Sequence, residues 1–599
     1  MSVKLAILKF DLQPALNKTE HHTDCYRSSE LIVRRGQDFR ITLTLNRAVK
    51  PEESILFTAE TGPSPSESCN TKVTFPLSKP GTKGETWWAT YESGDSNDLD
   101  VTVCSPTTAV IGYYRFSAKI LSKSKTTLKS LNKFMLLFNP WASDDDVYMP
   151  KEEERQEYVL TDHGIIYVGH EKYIQERGWN YGQFETDILE TSLAILDQSL
   201  NHCQDPALDC SQRSDPVYIS RVVSAMINSN DDKGVLVGNW SGKYLGGISP
   251  LRWYGSTDIL LKWYKRKFTS VKFGQCWVFA GVGCTVLRCL GIPARVVTNF
   301  SSAHDTNANL SIDEYYDHLG EPKKLSKDSI WNFHVWNEGW FARKDLGSAF
   351  DGWQVLDATP QEISEGIYCC GPTSVTAIKE GHVDLDYDAP FVYSEVNADR
   401  VFWIYYSDKK AERVYSDTRT VGQCISTKAV GSFQRMDVTN SYKYPEEEHI
   451  PFDIPYSKYK KYLNNAEMME VTAVCETEDG IKTLVRKDLC LESPPIDIKF
   501  TGKAIVNKPV DVEVTFVNPI SVTVKDCVLV IEGSGLLEGQ LKRSVPSLEP
   551  NELSRIQFEI VPSKSGPKQL LAGLTSKMFS DVKGFQGVEV AEAEPGHPA

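Results

Sequence analysis

The stretch VKFGQCWVFAG (271–281) decides how this chain is read. Phe273-Gly274-Gln275 has the character of a turn. The residues that follow, CWVFAGVGCTVLRCL (276–290), have helical spacing and run into Gly291-Ile292-Pro293, a strong stop signal. Cys276 therefore opens a helix. The dipole and free N–H groups of a helix N-terminus favour the thiolate, which is the reactive form of a cysteine. Cys284 and Cys289 lie inside the same helix and lack that advantage. Free cysteine is also among the most buried residue types, so on its own Cys276 reads first as a core thiol.

A nucleophilic thiolate needs a base and a group to orient that base. The chain has 11 histidines. One of them, His334, sits mid-strand in WNFHVWNEGW (331–340), flanked by Trp331, Trp336 and Trp340. A buried imidazole among indoles requires a polar partner. The segment GWQVLDATPQ (352–361) comes next, and Asp357 ends its strand just before a Thr-Pro break. Consecutive strands at this spacing often pair, which would set Asp357 beside His334. Nucleophile, base and orienting carboxylate then follow triad logic. Taken singly, His334 reads as a satisfied core histidine and Asp357 as a turn residue.

Bulk composition sets the frame. At 599 residues the chain is long enough for about four domains and several cores. A net charge of −15 argues against nucleic-acid binding and leaves calcium or basic partners open. The opening MSVKLAILKFDLQPALN (1–17) lacks the apolar core of a signal peptide, and no run of 18 apolar residues suggests a membrane span. The 14 cysteines show no repeated spacing. The expectation is a cytoplasmic protein with free thiols and no membrane span. The sequons at Asn17 and Asn299 carry little weight without a secretion signal.

Patterning divides the chain into four parts. Residues 1–140 alternate in runs such as FRITLTLN (39–46) and YYRFSAKI (113–120), which predicts a β-sandwich. Residues 141–447 mix a helical DILETSLAILDQSL (187–200) with strands, an α+β region. Residues 495–599 return to β patterning in VDVEVTFVNP (510–519) and KDCVLVIEGSGL (525–536). Between them, 448–494 offer two or three strands, too few to close a sheet.

Three segments in this order, GQCWVFA (274–280), WNFHVWNE (331–338) and GWQVLDATPQE (352–362), resemble the catalytic segments of the animal transglutaminases. HHTD (21–24), WNYGQFE (179–185), INSNDDKGVLVGNW (227–240), SAHDTNANLS (302–311) and YCCGP (368–372) agree, and the likeness covers about 1–447 and 450–595. NFHVWNEGWF (332–341) and IEGSGLL (531–537) are most similar to the epidermal-type and neuronal-type members. The resemblance implies a multidomain fold: an N-terminal Ig-like β-sandwich, an α+β papain-like transglutaminase core, an incomplete β-barrel remnant and a C-terminal Ig-like β-barrel. It implies acyl transfer from protein glutamine donors to lysine or polyamine acceptors, giving isopeptide crosslinks and releasing ammonia. Cys276, His334 and Asp357 would be the triad. Trp240 and Trp331 would be the two tunnel tryptophans, with the Trp240 indole N–H and the Cys276 N–H holding the oxyanion.

Calcium (Ca2+) is the implied cofactor. One site would use Asp305, Asn307, Asn309, Ser311 and Asp328; Asn307 stands where a carboxylate is common, and the loop is no EF-hand because Leu310 occupies the glycine position. A tighter site would use Ala225, Asn228, Asn230 and Asp232, partly through carbonyls. A third would use Asn397 and Glu446, but its second glutamate is replaced by Pro451.

After YKYPE (442–446) the family continues through most of a third domain. Here the chain jumps to HIPFDIPYSKYKKYL (449–463). An alternatively spliced or otherwise shortened product explains the gap. With it go an inhibitory tyrosine of some relatives and most of the guanine-nucleotide site of others, so GTP is expected to bind weakly or not at all. The residues 448–494 would carry unpaired strand edges and exposed apolar surface. Cys369 and Cys370 are adjacent and are taken as two free thiols. Three functions compete: a calcium-dependent crosslinking enzyme, a shortened chain that acts by binding only, and a papain-like thiol hydrolase. Chain length, the late order of the triad and the flanking β-domains disfavour the hydrolase.

Overall fold

The computed structural model describes residues 4–79, 84–93, 97–122, 125–407, 410–444, 468–476, 482–490, 494–519, 523–576 and 582–593. Alternation builds both ends. In Asp38–Leu45 the side chains Phe39, Ile41, Leu43 and Leu45 point inward, and Thr42 and Thr44 lie less buried between them. This strand is one of nine in a sheet around one apolar core that includes Phe57, Phe116 and Phe134. Val510–Val517 alternates in the same way. It pairs with Ile496–Thr501 and Leu553–Ile560, opposite a four-stranded sheet, over a second core. Met468–Glu476 and Lys482–Cys490 pair with each other as a two-stranded sheet. The expected strands of that region are therefore present, while Glu446 and Pro451 lie outside the described residues.

The middle of the chain positions the site. Its main sheet has six strands, in the order Cys370–Ser374, Gly352–Asp357, Ser329–Phe341, Ala294–His304, Gln423–Lys428, Arg435–Asp437. The helix Cys276–Leu290 packs on Ser329–Phe341 with all fifteen of its residues buried. Such a helix must be small where its neighbours press in. A Cβ on Gly281 would stand 2.5 Å from the Trp179 ring, and one on Gly283 would stand 2.5 Å from Asn337 Oδ1. The helix ends at Gly291, whose φ of 94° is left-handed and suits glycine. The helical run read at 187–200 resolves into Ile188–Asp197 and a separate short helix, Leu200–Gln204.

The C-terminal sandwich docks on the middle region. Lys583 Nζ donates to the Trp253 carbonyl at 3.2 Å, Phe433 and Phe585 rings lie 6.2 Å apart, and Lys568 Nζ is 3.5 Å from Asp162 Oδ2. The N-terminal sandwich joins in through the segment between its strands Ile7–Asp11 and Leu31–Arg34, with Arg27 donating to Ser563 Oγ at 2.9 Å.

Candidate active site

Gln275 is extended, at φ −136° and ψ 178°, and its carbonyl takes the N–H groups of Val278 and Phe279. Cys276 is thus the first helical residue, and its own N–H is one of the helix donors that lack an intrahelical acceptor. The same turn is tied to the loop that carries Trp240. Gln275 Nε2 donates to the Asn239 carbonyl at 2.8 Å, and Asn239 N–H donates to the Gly274 carbonyl at 3.1 Å. These two bonds set the Trp240 side chain relative to Cys276. Trp240 stays 47% exposed, stacked on Phe279 with centroids 6.3 Å apart, and lies 6.3 Å from the Trp331 ring. The two tryptophan rings are thus close neighbours. His304 lies edge-on to Trp331 on its other side, with Nε2 2.8 Å from Glu362 Oε1.

His334 reaches the site from the central strand. Asn337 Nδ2 donates to the Ala280 carbonyl at 2.8 Å, locking this strand to the Cys276 helix. The neighbouring strand pairs up to Asn337–Leu356 and ends at Asp357. His334 Nε2 then lies 2.6 Å from Asp357 Oδ2, and Thr359 N–H holds the other oxygen at 2.8 Å. His334 and Asp357 are each 1% exposed and Cys276 is 3% exposed. Burial opposes a charged imidazole here. The Asp357 carboxylate, then Cys276 and Glu395, outweigh it and hold His334 well above its ordinary pKa. His334 Nδ1 is buried without a well-aligned hydrogen-bond acceptor, on the ring edge opposite the Asp357 bond. The arrangement supplies a buried thiol beside a buried imidazole that favours its charged form.

Two residues at this site carried no signal in the sequence. Glu395 is fully buried, with Oε1 3.6 Å from His334 Nε2. Gln361 Nε2 lies 3.0 Å from Asp357 Oδ2 and 3.1 Å from Glu395 Oε1. Gln361 falls inside the quoted GWQVLDATPQE, but Glu395 lies on a separate helix, Ala389–Asn397, and only the fold brings it here.

The chain is similar to known proteins along nearly its whole length. Residues 8–121 match the Transglutaminase family, 254–358 the Transglutaminase-like superfamily, and 494–592 the Transglutaminase family, C-terminal ig like domain. The chain is 46% identical over 705 residues to protein-glutamine gamma-glutamyltransferase 6 of Homo sapiens, covering 98% of this chain and 100% of the relative. The chain belongs to the transglutaminase family. Protein-glutamine gamma-glutamyltransferase E of Bos taurus is 45% identical over 685 residues, covering 97% and 99% of the two chains. The crystal structure of red sea bream transglutaminase matches with a TM-score of 0.84 at 34% identity, over 98% of this chain and 100% of that one. As a transglutaminase this chain is an enzyme of acyl transfer. Its alignment of 705 positions exceeds its own 599 residues, so the relative carries stretches that this transglutaminase lacks. Among the described residues no helix is long and apolar enough to cross a membrane.

Among the described residues, two of the three expected calcium sets come together. Asp305, Asn307, Asn309 and Ser311 form one tight loop in which each side-chain oxygen of the first three accepts a backbone N–H two residues on. Asp328 joins them from 17 to 23 residues away, taking Thr306 N–H at 3.0 Å and Asp313 N–H at 3.3 Å. Asn228, Asn230 and Asp232 share the turn after the helix Pro216–Ile227, in which Ala225 is buried. That turn is a cradle: a Cβ on Gly234 would stand 1.6 Å from the Asn228 carbonyl oxygen. Burial pushes the Asp232 carboxyl up to about 6. Both clusters offer oxygen donors only, the set a hard cation such as calcium prefers. Asn397 ends its helix with Nδ2 3.3 Å from the Tyr442 carbonyl, and Glu446 lies outside the described residues.

Proposed function

We propose that this chain is a calcium-dependent protein-glutamine gamma-glutamyltransferase whose nucleophile is Cys276. The observation that carries the reading is a thiol at the free end of a buried helix, next to a buried imidazole held 2.6 Å from a carboxylate. Cys276 as thiolate attacks the side-chain carboxamide carbon of a protein glutamine. The oxyanion that forms is held by the Cys276 N–H and the Trp240 indole N–H. His334 as imidazolium gives its Nδ1 proton to the departing ammonia, leaving a thioester. A lysine or polyamine amine then attacks the thioester and His334 takes its proton. The thiolate leaves and the isopeptide is complete. Asp357 keeps the imidazole ring in orientation and offsets its charge. Trp240 and Trp331 keep water from the thioester, so aminolysis outruns hydrolysis.

Asp305, Asn307, Asn309, Ser311 and Asp328 would hold one calcium ion, and Ala225, Asn228, Asn230 and Asp232 another. Bound calcium supplies positive charge that offsets the clustered carboxylates and stiffens both loops. A third ion at Asn397 and Glu446 would lack one carboxylate ligand, since Pro451 replaces it. The chain is read as a cytoplasmic, splice-shortened form with four parts, 1–140, 141–447, 448–494 and 495–599, and with GTP bound weakly or not at all. The length difference from its relatives also favours a second reading, an inactive or regulatory isoform that acts by binding only. Incorporation of a fluorescent monoamine into dimethylcasein separates the two. The first reading expects calcium-dependent incorporation that Cys276→Ala abolishes; folded protein without incorporation would establish the second.

A further inference from the structure

Two carboxyl groups converge on one imidazole at this site, and both are buried. Asp357 Oδ2 lies 2.6 Å and Glu395 Oε1 3.6 Å from His334 Nε2. Buried carboxyl groups so placed need hydrogen-bond donors. Gln361 supplies them. Its Nε2 lies 3.0 Å from Asp357 Oδ2, 3.1 Å from Glu395 Oε1 and 3.0 Å from His334 Nε2. His334 Nε2 is spent as the donor to Asp357, so it cannot also accept from Gln361. A primary amide has two N–H groups. One therefore goes to each carboxyl. The opposite amide orientation would set the Gln361 oxygen against two carboxyl oxygens.

Glu395 is itself fixed. Its carbonyl accepts from Asn299 Nδ2 at 2.8 Å, and Asn299 is the ladder partner of His334. One residue earlier, Ser394 Oγ donates to Asp305 Oδ2 at 3.1 Å. Its helix is thereby pinned to the sheet at the level of the catalytic histidine. Gln361, by contrast, comes from a partly exposed loop. Among the described residues Glu395 Oε2 has no hydrogen-bond partner, so the Gln361 bond to Oε1 is the hydrogen bond its carboxyl makes at the site.

We propose that Gln361 and Glu395 are positioning residues for this reaction: Glu395 is a fixed anchor, and the Gln361 amide spans from it to Asp357 and so holds Oδ2 against His334 Nε2. The proposal rests on the triad reading above. It assigns Glu395 a role as hydrogen-bond acceptor, which a glutamine of the same shape can fill through its carbonyl.

The test uses the full chain with calcium present, the fluorescent monoamine and dimethylcasein. Gln361→Ala and Glu395→Ala are each expected to lower kcat about tenfold or more while KM for the monoamine stays within about twofold, since misplacing the base affects the chemical step. Glu395→Gln is expected to retain at least about half of the kcat. The double variant Gln361→Ala/Glu395→Ala is expected to be no worse than the poorer single variant, because both break one connection. Losses that multiply in the double variant would overturn the proposal. So would a Glu395→Gln as damaged as Glu395→Ala, or an unchanged kcat in Gln361→Ala. Gln361 lies on a loop, so its variant keeps the test valid even where Glu395→Ala fails to fold. Cys276→Ala in the same assay separates the two levels. Activity surviving in it sinks the triad reading, whereas activity lost in it and intact in Gln361→Ala sinks only this inference.

Discussion

His334 Nε2 and Asp357 Oδ2 meet at 2.6 Å where two antiparallel strands part, Asp357 one residue and His334 three residues beyond the Asn337–Leu356 pair. Both side chains are 1% exposed, so the carboxylate acts on the imidazole with little screening by water. The bond selects the tautomer with the proton on Nε2 and leaves Nδ1 for the thiol side.

Asp357→Asn should therefore cost far more than a lost hydrogen bond. The amide removes the negative charge and no longer favours the imidazolium. We expect kcat for amine incorporation to fall on the order of 10³-fold, in line with orienting carboxylates elsewhere. The His334 pKa would fall with the charge, so alkylation of Cys276 by iodoacetamide below neutral pH should slow as well. Unchanged alkylation at pH 6 would show that Asp357 does not sustain the thiolate–imidazolium pair.

Trp240 is exposed beside Trp331 and anchors no core, so its replacement should spare stability. Trp240→Phe keeps a wall but loses the indole N–H, and should cost about 10²- to 10³-fold in kcat, the usual size for one oxyanion donor. Trp240→Ala also removes that wall, and the ratio of hydrolysis to aminolysis should rise. Ammonia release set against amine incorporation reads both. Equal activity in Trp240→Phe would remove the indole from the oxyanion role.

Much of this was legible from the chain. The cysteine's place at a helix start follows from Phe273-Gly274-Gln275 and Gly291, because turns and caps are local chemistry. The strands of His334 and Asp357 show in their patterning, and their pairing is local too. Glu395 was not legible, because a helix roughly forty residues after Asp357 folds back onto the sheet through Asn299 and Asp305, contacts that no spacing encodes. Asp328 became a candidate ligand only through resemblance; the fold explains it, since the strand that starts at Ser329 pairs with the strand ending at His304 and so sets Asp328 against the loop.

Calcium should stabilise the chain by mass action on the native state. At a hundred times its Kd, each site would add about 2.7 kcal/mol. Thermal unfolding with and without chelator reads the sum. Asp328→Asn should remove part of that gain from the loop at 305–311, and Asp232→Asn part of it from the turn at 228–234. Calorimetric titration should then show one fewer, or one weaker, site in each. A calcium-independent unfolding temperature would exclude both sites.

Glu532 gives the docked C-terminal sandwich a pH dependence. Its carboxyl is wedged at the domain contact: a Cβ on Gly255 would stand 2.9 Å from Oε1, and Oε2 accepts from Gln540 Nε2 at 3.1 Å. The side chain as a whole keeps some exposure, but its carboxyl end is enclosed. Burial raises this carboxyl to about 7, opposed by bonds from Gln540 and Asn180. The unfolded chain holds it near 4.3. Folding therefore takes up a proton between those two values, and stability falls as pH rises from about 4.3 through 7. The whole shift corresponds to at most about 4 kcal/mol, less for the water that still reaches the side chain. Glu532→Gln should flatten this slope and make the chain more stable than the parent at pH 7.5, with little difference at pH 5. Urea midpoints of both proteins at the two pH values measure it. Parallel pH profiles would show that Glu532 does not carry the dependence.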